Sequence, residues 1–61
     1  MAQITEKELS ALGDLLGAEQ LAAQKYQTMA SCAEDAAIRD CYEQMAARHT
    51  RHFDELYANL K

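Results

Sequence analysis

Ser31-Cys32-Ala33-Glu34-Asp35-Ala36-Ala37-Ile38 decides the fold of this chain, because a long helical pattern of apolar residues breaks off there and a second one begins. Asp35 is a good N-cap, since its carboxylate can accept one of the backbone N–H groups left unpaired at a helix start. Upstream of the break, Leu9, Leu12, Leu16, Glu19, Ala23, Tyr26 and Ala30 follow at alternating three- and four-residue steps, with Met29 beside them. That is the spacing of one continuous helix face. Downstream, Ile38, Tyr42, Met45, His49, His52, Leu56 and Asn59 repeat the pattern, widened by Cys41, Phe53 and Leu60. Thr5-Glu6-Lys7-Glu8 has the form of a capping box and sets the start of the first helix. The pattern predicts helix 1 over about residues 6–32 and helix 2 over about 36–60, running to the terminal Lys61. Each is roughly 25 residues and about 37 Å long at 1.5 Å rise per residue. A connection this short forces them antiparallel, as an αα-hairpin in a single unit of residues 1–61.

Composition agrees with an all-α chain: no Pro, two Gly and abundant Ala, Leu, Glu and Gln. A chain of this size buries only about 60% of its unfolded surface, so a lone hairpin leaves half of each apolar stripe wet. The expected remedy is a two-fold homodimer, two hairpins forming an antiparallel four-helix bundle. Ten acidic against six scattered basic residues give a net charge of -4, which argues against nucleic-acid or anionic-membrane partners. Glu6, Lys7 and Glu8 stand where a signal peptide needs an apolar core, so the expectation is a cytoplasmic chain. Cys32 and Cys41 form no C-x-x-C pair and lie out of register with each other, so both are expected as free thiols, with Cys32 placed to link chains near the loop. Phosphate-cradling glycine loops and nucleophile elbows are absent from the sequence, and neither Cys falls beside a His. The chain is expected not to be an enzyme.

The seam turns polar at its middle. In an antiparallel hairpin turning near residue 34, facing positions have numbers adding to about 68. Leu12 then faces Leu56, Tyr26 faces Tyr42 and Glu19 faces His49, with His52 one turn further along. An unpaired buried carboxylate costs several kcal/mol, so Glu19 requires compensation. One reading needs no cofactor: Glu19 and His49 form a hydrogen-bonded pair that fixes register and dimer geometry. The other places a metal between Glu19, His49 and His52, whose imidazoles and carboxylate have the residue chemistry of a metal site. Gly13 and Gly17, four apart in helix 1, point either to a close crossing with a partner helix or to simple tolerance.

Glu19-x6-Tyr26 on one helix, followed by His49 and Phe53 on the next, resembles half of a ferritin-like, rubrerythrin-type bundle. That resemblance implies a ferritin-like fold and, by position, a carboxylate ligand at Glu19, a neighbouring tyrosine at Tyr26 and a histidine ligand at His49. It departs at Ala46, where the family's Glu-x-x-His pattern has its second carboxylate. The departure argues against oxygen or peroxide chemistry at paired iron. Leu15-Leu16-Gly17-Ala18-Glu19, Lys25-Tyr26, Arg39-Asp40, Ala46-Ala47-Arg48-His49 and His52-Phe53 are most similar to the short spore-coat-like members, relatives of the coat F type, over residues 9 to 60. The implied role is structural: a self-associating protein recruited to a spore coat, with other coat proteins as partners. The same resemblance leaves a dimer holding zinc, nickel, copper or iron as the alternative.

Overall fold

The computed structural model describes residues 4–60 as two packed helices, α1 (Glu6–Cys32) and α2 (Ala36–Ala58). α1 begins where the sequence places its capping box. Thr5 is extended (φ -76°, ψ 164°), its hydroxyl accepts the Glu8 N–H at 3.1 Å, and the Glu8 carboxylate accepts the Thr5 N–H at 3.0 Å. The bond from the Thr5 backbone N–H foremost, and then the nearby Thr5 hydroxyl, hold the Glu8 carboxyl below its ordinary value of 4.5.

The turn spans Ala33 to Asp35 and is built with negative φ throughout, so it needs no glycine. Ala33 leaves the helix in an extended conformation while its N–H still reaches the Ala30 carbonyl at 3.2 Å. The Arg39 guanidinium, one turn into α2, donates to the Ala33 carbonyl at 2.9 Å and so fastens the start of α2 to the end of α1. Asp35 caps α2 by accepting the Ile38 N–H at 3.0 Å. At the other end α2 stops at Ala58, two residues earlier than the apolar spacing suggests. The last backbone bonds there tighten to three-residue turns, Asn59 to Leu56 and Leu60 to Tyr57, and the Asn59 amide donates back to the Glu55 carbonyl at 3.0 Å. Lys61, to which the sequence extended helix 2, lies outside the described residues.

The two helices meet over small side chains. Ala23, Ala30 and Ala46 are buried, and among the described residues no large side chain is fully so. The molecule measures 47 × 16 × 10 Å, two helices wide and one helix thick. Leu9, Ile38 and Leu60, which spacing assigns to the buried face, remain 48%, 51% and 40% exposed. Periodicity fixes the direction in which a side chain points, but a single layer covers only part of a stripe. A four-helix bundle needs a second hairpin laid against this one. Cys32 and Cys41 are free and exposed. No helix among the described residues is long and apolar enough to cross a membrane.

A side chain added at Gly13 or Gly17 would meet open space. Gly13→Ala and Gly17→Ala should therefore each stabilise the helix by about 0.5–1 kcal/mol in chemical denaturation, whereas a loss would expose a close crossing with another chain. Asp35→Ala should cost about 1 kcal/mol in the same assay. For Glu8 the folded value lies below the unfolded one, so its contribution is present above 4.5 and lost as pH falls through the folded value. In thermal melts, Glu8→Gln keeps the capping geometry and should flatten that part of the acid dependence; an acid limb identical to the wild type's would show that the box carries no charge effect.

Candidate metal centre

Glu19 sits at the midpoint of α1, with thirteen helical residues before it and thirteen after. Across the seam, His49 and His52 are three residues apart on α2 and share a face. The register puts them where facing numbers add to about 68: the Tyr26 and Tyr42 rings are 6.1 Å apart, and Glu19 meets His49. His49 Nδ1 lies 2.5 Å from Glu19 Oε1, and His52 Nδ1 lies 3.4 Å from Glu19 Oε2. One carboxylate therefore faces two imidazoles, one on each oxygen. A carboxylate accepts and a ring N–H donates, so hydrogen-bond logic assigns the His49 proton to Nδ1.

The surroundings fix this arrangement from one side and leave it open on the other. The Tyr26 ring stacks on His49 with centroids 5.6 Å apart and planes 6° from parallel. His52 meets His49 edge-on at 5.9 Å. Tyr26 thus packs against the His49 imidazole. Glu19 and His49 side chains are 22% and 24% exposed, and His52 42%. Partial burial weakens solvent screening of the contact and still leaves an approach to the nitrogen and oxygen atoms.

Three possible ligand atoms from Glu19, His49 and His52 lie within 4.8 Å of one another. Bonds of about 2.0–2.1 Å to a tetrahedral ion require donors roughly 3.3 Å apart, so side-chain adjustments of an ångström or so would close the set on a metal. Two nitrogens and one oxygen match the donor composition of zinc and of mononuclear iron sites. The second carboxylate of a paired-iron pattern has no counterpart here. Its position holds Ala46, which is 5% exposed against α1, and a longer side chain would have to push the helices apart.

The sequence brings the triad together but says little about its rim. Leu15, Glu55, Leu56 and Asn59 line the same cleft as Glu19 and His52. Glu55 lies one turn beyond His52, and that i, i+3 relation is the signal by which it could have been found. Its carboxylate is outside the converging set. Ala23 and Ala46, whose small size lets the helices approach at the site, carry no chemical signature at all. Compared with known proteins, the chain matches no family model, no curated protein and no solved structure.

Proposed function

We propose that this chain is a helical hairpin that binds a transition-metal ion through Glu19, His49 and His52. The observation that carries this reading is the convergence of both imidazoles on the two oxygens of one carboxylate, at 2.5 and 3.4 Å. A pair that only fixes register needs one histidine, and here a second stands on the other oxygen. Zinc, nickel, copper and iron(II) all accept such a donor set, and affinity across them rises toward copper. Binding, not catalysis, is the proposed activity.

A second reading is favoured by the one-layer shape. A hairpin 10 Å thick, with only alanines buried among its described residues, suits a self-associating structural protein. In it two copies form a ferritin-like four-helix bundle of the spore-coat type, and the Glu19–His49 contact sets the pairing. The support is the resemblance in residues 9 to 60 together with the exposed apolar side chains Leu15 and Ile38.

Native mass spectrometry of the untagged protein, purified without chelator and titrated with each of the four ions, separates the two. On the first reading the chain takes up stoichiometric metal, and Glu19→Gln or His49→Gln weakens uptake by more than the roughly 10–100-fold typical of outer-shell changes. A His49→Gln protein with full metal content would sink the ligand assignment. On the second reading alone, the same variants shift dimer stability while no ion is bound at any point of the titration.

A further inference from the structure

Half-exposed ligands on a half-covered stripe raise the question of what closes over them. The hairpin exposes 4827 Å² for a mass of 6.8 kDa. Surface scaling gives roughly 4,000 Å² for a compact monomer of that mass, so the excess is roughly 800 Å², about what one partner contributes to a standard-size protein interface.

Leu9, Leu21 and Tyr57 are exposed outside the clefts of the hairpin, while other apolar residues gather beside the triad. On one side of the hairpin, Leu15 and Leu56 line the cleft that contains Glu19 and His52. Toward the turn, Met29, Ile38 and Tyr42 line a second cleft. Leu15 and Ile38 are 52% and 51% exposed. Two further grooves carry Gln20, Gln24, Gln27, Arg39, Glu43 and Asp54 among their lining residues, and Glu19 lines one of them as well. Glu19 thus borders two clefts, and of these the one lined by Leu15 and Leu56 also contains His52.

The position of Glu19 says which partner fits. Because it lies at the middle of α1, a two-fold axis through that layer brings the same layer of a second copy to the same height. This holds whether the two turns lie at one end of the assembly or at opposite ends. A second copy also offers the matching apolar residues at matching distances above and below.

We propose, resting on the metal-binding reading, that metal uptake and self-association are one coupled equilibrium: the ion is held tightly only when a second copy closes the Leu15–Ile38–Leu56 face over the triad. A single chain supplies three donors from partly solvated side chains. The partner excludes water from them and brings its own Glu19, His49 and His52 to the same layer. Linkage then requires that metal tighten the dimer by the factor by which the dimer tightens metal. The chain is a metal-controlled assembly module.

The test is sedimentation equilibrium of the full chain with zinc chloride or with EDTA, with bound zinc counted by native mass spectrometry. With free zinc at about 100 times its dissociation constant for the dimer, each ion that the dimer alone holds should lower the dimer's own dissociation constant about 100-fold. His52→Gln leaves the Glu19–His49 contact in place and should lose that zinc response while keeping its helical signal in EDTA. Ile38→Lys lies three turns from the triad; it should be monomeric and bind zinc more weakly, by the factor zinc no longer gives to association. Bound zinc with an unchanged dimer constant overturns the coupling and leaves the metal site standing. So does a monomeric Ile38→Lys that binds zinc as tightly as the wild type. An absence of bound zinc, nickel, copper and iron from the wild-type chain overturns both.

Discussion

The contact of one carboxylate with two imidazoles halfway along the seam is the constraint on which the rest of this hairpin depends. Leucine, alanine, tyrosine and methionine elsewhere on the stripe are interchangeable under a sliding motion of one helix along the other, since each finds an apolar neighbour at many offsets. Glu19 does not. With its side chain 22% exposed, it finds adequate partners only where His49 and His52 stand opposite. The polar layer therefore selects one register from several of similar apolar burial.

Register in turn explains the small residues. For the Glu19 carboxylate to lie 2.5 Å from a His49 nitrogen, the helix axes must come close, and bulky side chains at the crossing would hold them apart. Ala23 and Ala46 meet that demand beside the site and Ala30 meets it nearer the turn. The consequence is a core of little volume. Three buried alanines remove far less apolar surface from water than leucines would, so the close approach that makes the site also denies the chain a self-sufficient interior. Site geometry and the want of a covering layer have the same origin.

Much of this architecture is legible in the sequence because it depends on local chemistry. Thr5 and Glu8 cap each other across one turn, and Asp35 caps Ile38 in the same way, so both helix starts follow from neighbours three residues apart. The pairing of Glu19 with His49 follows from the turn position and simple antiparallel arithmetic. What periodicity cannot supply is depth. Leu9 and Ile38 have the right spacing for burial and remain about half exposed, because depth depends on how many layers stack, which no single stripe encodes. The end of α2 is illegible for a related reason: Asn59 and Leu60 continue the apolar rhythm, yet Leu60 stays 40% exposed and the chain tightens into three-residue turns. Ala46, where the resemblance has its second carboxylate, is the buried residue of α2.

A seam closed by a metal-capable layer differs in kind from one closed by further leucines. Apolar burial is non-directional and always present, so an assembly built on it alone is set by concentration. Imidazole and carboxylate donors bind only when they are deprotonated, correctly spaced and supplied with an ion, which makes their contribution conditional on the solution around the protein. Placed at the end of the hairpin, such a layer would govern only local fraying. Placed at residue 19 of a helix running from Glu6 to Cys32, it has thirteen helical residues on either side, and its contribution bears on both halves of the seam.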